Sequence, residues 1–482
     1  MMKINLVGYK KRISTLVIVI FLSACSHNPT SESSAKDAFV VELEELPWQS
    51  AEDSMLEYTA ANSEWWLSFQ SPELNVLIEK ALVSSPDLLM SQQRIIQAEA
   101  QLGITRANAL PHLDATGSVG MSNVSGGSTS SGDTRKSSSL GLITQYEVDL
   151  WGRVAAERSA SEASLESKVY DWHATRLTLT AAVASSWFEW LMLSEQLDNA
   201  RWYLQAAEKQ LNFIQAAYNS GGATHIELAQ QRKQVLSRST SVKKIIHQKN
   251  QTRNALALLV GEAPQKFRPP IINLMSLQVP RPDPGLPAEI LIRRPDLARE
   301  EALLKVANAN VKEVRAAIYP SFNLQASARL ASDSLSLADP TRTFSLGADT
   351  IQTIFDFGER SRRIELTEAK QKEMLISYHQ TVLTALAEVE DALSNEQLIR
   401  DLEIQQRQLI KENNLIATNT EHLYNAGAET LANLLDVQLD ELQAKDILFE
   451  LYQQRLNASL TLYKALGGGW AHEPFGLLLL FG

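Results

Sequence analysis

A chain of 482 residues, 44% hydrophobic and 21% charged, can bury a sizeable core, which excludes a disordered polypeptide. No internal apolar run reaches the ~18 residues a spanning helix needs, which excludes a helical membrane protein. A formal charge of −11 at pH 7 argues against nucleic acid as a partner.

The first element is a processing segment. Lys3, Lys10, Lys11 and Arg12 precede the apolar stretch Ile13 to Leu22, the pattern of a signal peptide over residues 1–24. Leu22-Ser23-Ala24-Cys25 resembles a bacterial lipobox, so Cys25 is the expected lipidation (palmitate) site and first mature residue. Loss of the leader leaves 41 basic against 56 acidic residues, near −15. By resemblance to sorted lipoproteins, Ser26 in place of Asp favours the outer membrane. Residues 25–39 are rich in Ser, Asn and Pro and read as a lipidated tether. Cys25 is the only cysteine, which excludes intrachain disulfides and thiolate zinc clusters. A lipid anchor alone gives a peripheral protein and does not establish a pore.

Beyond residue 84 the chain is a tandem repeat. Ser85-Pro86-Asp87-Leu88 recurs as Arg294-Pro295-Asp296-Leu297, and Arg106, Ala107 and Pro111 recur as Arg315, Ala316 and Pro320, about 209 positions on. Past a variable loop the offset is about 206: Gly152 with Gly358, Tyr218 with Tyr424, Gly221 with Gly427, Gly261 with Gly467. The copies span 85–261 and 294–467, flanked by 40–84, a linker at 262–293 and a tail at 468–482. Each copy reads as helix, two strands, a very long helix and a closing helix. The expected helices are about 86–110, 153–217 and 223–260, then 295–318, 360–423 and 429–466. Leu197, Ala200, Leu204, Ala207, Leu211, Ile214 and Tyr218 step by three and four. Leu402, Leu409, Ile416 and Leu423 step by seven. Both read as coiled-coil seams. At ~1.5 Å per residue the helix from 153 would be roughly 95–100 Å long, a length suited to crossing a periplasm.

The expected strands are about 112–124, 139–150, 321–331 and 343–356. Leu113, Ala115, Gly117, Val119 and Met121 alternate with polar residues, as do Phe322, Leu324, Ala326, Ala328 and Leu330; the fourth stretch is less regular. About 10 residues is the span of an outer-membrane strand. Four strands cannot close a barrel in lipid, where open edges strand backbone polar groups. Hairpins must therefore be pooled: two chains give eight strands, three give twelve. Eight would be filled by side chains, so a conduit favours three.

No catalytic constellation emerges. Among eight histidines there is no His-x-x-x-His or His-Glu-x-x-His pair, and there is no Gly-x-Gly-x-x-Gly phosphate loop. Glu388, Glu390 and Asp391 read as a solvated helix face, and Gly467-Gly468-Gly469 as a helix stop. The expectation is a non-enzyme with no cofactor and no metal site.

The stretch Gly285-Leu286-Pro287-Ala288, Arg293-Arg294-Pro295-Asp296-Leu297 and Ala316-Ala317-Ile318-Tyr319-Pro320-Ser321 resembles the TolC-like outer membrane factors, especially the lipoprotein branch of OprM and NodT-type proteins. Asp149-Leu150-Trp151-Gly152-Arg153 and Tyr424-Asn425-Ala426-Gly427 carry the same resemblance. It covers nearly the whole chain from about residue 60. It implies a mainly α fold with a transmembrane β part: a homotrimer with a twelve-strand β-barrel, a twelve-helix periplasmic α-barrel, and an equatorial belt from 40–84, 262–293 and the tail. It further implies an outer-membrane location, lipid-anchored and spanning, in outer-membrane lipid. The activity implied is the exit duct of a tripartite efflux pump of the multidrug-resistance type, with a periplasmic adaptor (membrane fusion protein) and an inner-membrane transporter, of RND type, as partners. The alternatives are the outer-membrane part of a type I secretion system and a non-conducting periplasmic scaffold lipoprotein. By the same resemblance the helical hairpin tips, at Tyr218, Gly221 and Glu227 and at Tyr424 and Gly427, dock the adaptor, and the second tip gates the duct. Asp436 matches the second of two family Asp positions, while Asn433 departs at the first; Glu429 is a candidate partner for a neighbour's basic residue.

Overall fold

The structure is a computed structural model and describes residues 48–49, 63–124, 133–337 and 339–470. The signal segment, Cys25, the tether and the tail beyond 470 lie outside the described residues. The chain divides into two units, Met1–Trp48 with Leu286–Ala288, and Gln49–Gly285 with Glu289–Gly482. All the labelled elements belong to the second.

Its elements come in two equal sets. After α1 (Pro72–Ser84), the first set is α2 (Pro86–Asn108), β1 (His112–Val124), β2 (Asp133–Glu147), α3 (Arg153–Asn219) and α4 (His225–Leu259). The second is α5 (Pro295–Ala316), β3 (Ser321–Ser332), β4 (Thr341–Ile351), α6 (Glu359–Asn425) and α7 (Leu431–Ala465). The long helices α3 and α6 have 67 residues each, and the closing helices α4 and α7 have 35 each. At ~1.5 Å per residue the long helices run about 100 Å.

Proline starts α2 and α5 at the first helical turn, where its missing N–H costs nothing. The closing glycine of each set makes the same contact. Gly261 and Gly467 have φ of +71° and +85°, and a Cβ on either would overlap a backbone carbonyl, that of Ser84 and that of Arg293. Each glycine thus lets the end of its own copy press against the backbone two residues before its own Pro-Asp helix.

Around that closure lies the main core. Trp65, Phe69, Leu74 and Ile78 from the segment preceding α2 pack on Trp187, Phe188 and Leu191 of α3 and on Leu456 and Tyr463 of α7. Trp65 stacks on Tyr463 at 5.7 Å. The linker is pinned by Trp187 Nε1 to the Pro270 carbonyl (3.1 Å) and Tyr452 OH to the Leu277 carbonyl (2.8 Å).

The strands form one antiparallel sheet in the order β1-β2-β3-β4. β2 starts at Asp133, earlier than its apolar pattern, because backbone pairing carries the ladder up to Val124↔Asp133 whatever the side chains. It ends at Glu147, where the chain turns so that Asp149 Oδ2 can accept from the Ala155 N–H of α3 (2.8 Å). β4 ends at Ile351, five residues short of its expected end. Beyond it Gln352 Nε2 donates to the Ile318 carbonyl (3.1 Å), and Arg360 donates to the Thr353 carbonyl (2.6 Å) and to Asp356 Oδ2 (2.6 Å).

The packing separates the two expected seams and corrects the reading of the acidic cluster. Of the two seams, the first is covered: Leu197, Ala200, Ala207 and Ile214 are buried. The second is not. Leu402, Leu409, Ile416 and Leu423 are all exposed, and α6 instead turns Ile399, Glu403, Gln406, Ala417 and Thr420 inward. Polar inward positions are satisfied by bonds that periodicity cannot register, such as Gln406 Nε2 to the Ala444 carbonyl (2.8 Å) and Glu403 with Arg407 (2.6 Å) and Arg455 (2.8 Å). The acidic cluster is also more than a solvated face: Glu388 accepts from Arg294 (2.7 Å) and Glu390 from the Gln49 N–H (2.7 Å).

Candidate functional site: sheet face and hairpin tips

The register resolves the sheet into two chemically distinct faces. Leu113, Ala115, Gly117, Val119 and Met121 of β1 share a face with Leu140, Leu142 and Tyr146 of β2, then with Leu324, Ala326, Ala328 and Leu330 of β3. On β4 that face continues as Phe344, Leu346 and Ala348, so the fourth strand alternates as well as the others. Phe344 and Leu346 are 82% and 86% exposed in the single chain. The opposite face carries His112, Asp114, Thr116, Ser118, Gln145, Asn323, Gln325, Ser327, Arg329, Ser345 and Asp349. Among the described residues β1 and β4 each pair on one side only. At the end nearest the helices, aromatic rings gather: Trp151 stacks on Tyr319 at 4.8 Å with its Nε1 on the Pro320 carbonyl (2.8 Å), and Phe355 lies 4.5 Å from Phe357. Such rings suit a membrane–water boundary. No described helix is long and apolar enough to cross a membrane.

At the other end, two helical hairpins meet. In the first, α3 ends at Asn219 and Gly221, at φ +80°, reverses the chain; its N–H donates to the Tyr218 carbonyl (3.1 Å), and Gly222 N–H donates to Ala217 O (2.7 Å). Thr224 then opens α4 with a capping box: its Oγ1 accepts from Glu227 N–H (3.2 Å) and Glu227 Oε2 accepts from Thr224 N–H (2.6 Å). These bonds hold the Glu227 carboxyl below its ordinary value. Glu227 is thus bound to its own backbone. Tyr218 sets its ring edge-on to His225 at 6.2 Å.

In the second hairpin Gly427, at φ +78°, donates to the Tyr424 carbonyl (2.9 Å). Thr430 caps α7 by accepting from Asn433 N–H (3.2 Å), and Glu429 Oε1 accepts from Thr430 N–H (2.8 Å). Asn433 stands where Glu227 stands in the first tip, so the second tip has no acid in its box. Asn433 and Asp436 are exposed, three residues apart on one helix face. Asp440 continues that face, also exposed; i+4 spacing is the signal by which it could have been found. The two tips are joined by a small apolar cluster of Ile214, Leu228, Leu431 and Leu435, with Leu211, Ala223 and Tyr424 against it. Burial and the nearby Glu227 charge push the Tyr424 phenol up.

Between tips and core, α3 and α7 meet through a polar layer that sequence reasoning missed. Asn199 Nδ2 donates to Asp446 Oδ1 (2.9 Å), and Gln196 Nε2 donates to Glu450 Oε1 (3.1 Å). Burial raises the Asp446 carboxyl to about 6 despite the Asn199 bond. Nearby, Arg238 and Lys445 flank the Tyr203 ring at 5.4 and 5.9 Å.

The arrangement is a two-faced sheet open at both edges, mounted on long paired helices. Comparison with known proteins agrees with it. The family model described as "Outer membrane efflux protein" matches residues 77–262 and 286–468, once per repeat. The chain is 36% identical to the pyoverdine export outer membrane protein OpmQ of Pseudomonas aeruginosa, over 97% of this chain and 98% of that protein. It is 29% identical to the cation efflux system protein CusC of Escherichia coli, over 85% and 89%. A crystal structure of CusC, described in terms of transmembrane channel formation, superposes with a TM-score of 0.78 at 27% identity, covering 88% of this chain and 97% of that one. With its two matched repeats, its sheet and its long helices, this chain belongs to the outer membrane efflux protein family.

Proposed function

We propose that three copies of this chain close a twelve-strand barrel in the outer membrane above a twelve-helix tunnel, and that the assembly is the exit duct of a tripartite efflux pump. The carrying observation is the sheet: one mainly apolar face, one mainly polar face, and two edges unpaired among the described residues, whose backbone groups cannot be left open in lipid. The exposed stripe Leu402, Leu409, Ile416 and Leu423 supports the same assembly, since a heptad of leucine and isoleucine turned away from its own chain suits a neighbouring helix. Three hairpin pairs make the twelve strands that leave an aqueous lumen.

In this reading Cys25 is lipidated and anchors the trimer. The tips dock a periplasmic adaptor, and an inner-membrane transporter of the RND type delivers small solutes. OpmQ is named for pyoverdine export and CusC for cation efflux, so cargo differs between relatives of one fold, consistent with selection by pump and adaptor. Asp436 lies nearest the axis at the closed tip. There three symmetry-related carboxylates form a ring of like charge that admits cations and binds divalent ions. Asn433 leaves that ring single.

Single-channel recording of the purified, reconstituted protein tests this. The expected result is discrete conductance from a trimer, with Asp436→Ala raising conductance or removing block by divalent cations. Absence of conductance would return the scaffold reading, and an unchanged response of Asp436→Ala would remove the gate assignment.

A further inference from the structure

We propose that Arg329 makes an anion-favouring belt in the outer half of the transmembrane duct, biasing exit toward anionic solutes. The inference rests on the trimeric barrel proposed above.

Arg329 lies on the polar face of β3, opposite Gly141 of β2 and Thr343 of β4. The register surrounds it on that face with Ser139, Ile143, Ser327 and Ser345, all neutral. Its Nη2 donates to Ser139 Oγ (2.9 Å), and among the described residues no carboxylate pairs with it. Gly141 makes the pose possible. A Cβ there would stand 3.2 Å from both the Ala328 carbonyl oxygen and Thr116 Oγ1, and 3.7 Å from the Arg329 Cβ. A glycine at the crossing lets the arginine lean over β2 and holds its charge at a fixed height on the wall.

The carboxylates Glu147, Asp114 and Asp349 of that face lie nearer the helices. Glu147 is bound by Arg153 (2.8 Å). Asp114 is two strands away and one row nearer the helices, 3.5 Å from His112. Asp349 lies six residues nearer the helices in the register, about 20 Å at ~3.4 Å per residue. Arg135 of β2 stands on the same face, six residues farther out in the register than Gly141. The outer half of the wall is therefore a serine- and threonine-rich surface on which Arg329 is joined by a second cation, Arg135, at the rim.

Three Arg329 cations act on the whole lumen. Twelve strands ~4.8 Å apart and tilted by ~40° give a backbone circle of roughly 12 Å radius. The arginine reaches inward from it, and the screening length is ~10 Å at 0.1 M salt but ~3 Å at 1 M. The belt's potential thus spans the duct at low salt, raising local anion concentration, and vanishes at high salt. It lies well separated from the carboxylates at Asp349 and at the tips, so the duct carries opposite charge at its two ends.

Reversal potentials across a KCl gradient near 0.1 M test the assignment, recorded on the full-length protein in planar bilayers. An Asp436→Ala background keeps the tip carboxylates from dominating. Arg329→Gln should lower the chloride-to-potassium permeability ratio by about twofold or more, Arg329→Lys should preserve it, and the difference should collapse near 1 M. Equal ratios for the parent and Arg329→Gln in channels of unaltered conductance would overturn the Arg329 belt and leave the duct reading intact. Failure of every form to conduct would overturn the duct reading and the belt with it. Arg329→Cys supplies a second measurement. A membrane-impermeant anionic thiol reagent should label it from outside and lower the ratio; a cysteine that stays unlabelled in conducting channels would also overturn the proposal.

Discussion

In the first copy Ser85 precedes the Pro-Asp helix and its side chain makes no capping bond. In the second copy Arg294 holds the same place, nearly buried, and gathers Asp296 (2.7 and 3.0 Å), Glu388 (2.7 Å) and the Ala465 carbonyl (3.0 Å). Burial alone would raise the Asp296 carboxyl, but the Arg294 bonds outweigh it and hold it low. The tips differ in the same manner. Thr224 and Glu227 close a full capping box in the first, whereas Thr430 faces Asn433 in the second and leaves Asp436 and Asp440 free at the surface. The lesson is a division of labour. Backbone punctuation (prolines, reversing glycines, capping threonines) is held in common because both copies must build one hairpin geometry. Charge is where they diverge, because in the assembly proposed here only one inner hairpin faces the axis.

The shared part predicts the largest effects. Gly467→Ala and Gly261→Ala must each shift a backbone carbonyl as well as hold a left-handed residue, so loss of folded, assembled protein is expected in expression and thermal-melt assays. Gly427→Ala and Gly221→Ala meet open space and should cost only the left-handed conformation, about 1–2 kcal/mol, with assembly retained. Equal losses at all four positions would break the distinction between closure and turn.

The divergent part predicts the next. Arg294→Met leaves Asp296 and Glu388 without their cation and should cost about 3 kcal/mol, read as a drop in melting temperature, whereas Ser85→Ala should change it little. A similar loss from both would mean that the two motifs are equivalent after all.

A smaller, pH-dependent effect belongs to the polar layer. The Asp446 carboxyl is raised to about 6 from 3.8. The native state therefore binds more protons than the unfolded chain between those values, and this site's contribution to stability is full below about 4 and falls as pH rises toward 6 and above. Asp446→Asn, which can still accept from Asn199, should melt a few degrees higher at pH 7.5 and show no advantage at pH 4.

The smallest effect sits at the first tip. Glu227→Gln should cost under about 1 kcal/mol, the scale of a helix cap. Its depressed carboxyl contributes above the ordinary value near 4.5, and that contribution is lost as pH falls through the lower folded value. Asn433→Glu should transfer the box to the second tip and stabilise it by a similar amount. A melting temperature unmoved by both would mean that the tips are not limited by their caps.

Much of this was legible in the residues. The prolines and glycines that recur with near-constant spacing mark where helices start and turn, because only those residue types tolerate the backbone found there. Alternation along β1 and β3 follows from the period of two. The fourth strand read as irregular until pairing with β3 put Phe344, Leu346 and Ala348 on one face. Asn433 and Asp436 follow from the resemblance to the family's hairpin tips, whereas Asp440 has no counterpart in the two positions that resemblance supplies. The Arg294 hub and the Asp446 layer were not legible, since their partners stand 94, 171 and 247 positions away along the chain.

The sequence by itself determined the duplication, the element order and the two-faced strands. These are local properties, set by backbone preference and by periodicity within one element. The tertiary structure alone decided which face of each long helix is covered by its own chain. The heptad at Leu402 to Leu423 reads as a seam against a neighbouring helix, and within its own chain it stands exposed while Glu403 and Gln406 turn inward. Periodicity identifies an apolar stripe but carries no information about which neighbour will cover it. That neighbour is chosen by chain connectivity and by the hydrogen bonds that let polar side chains be buried.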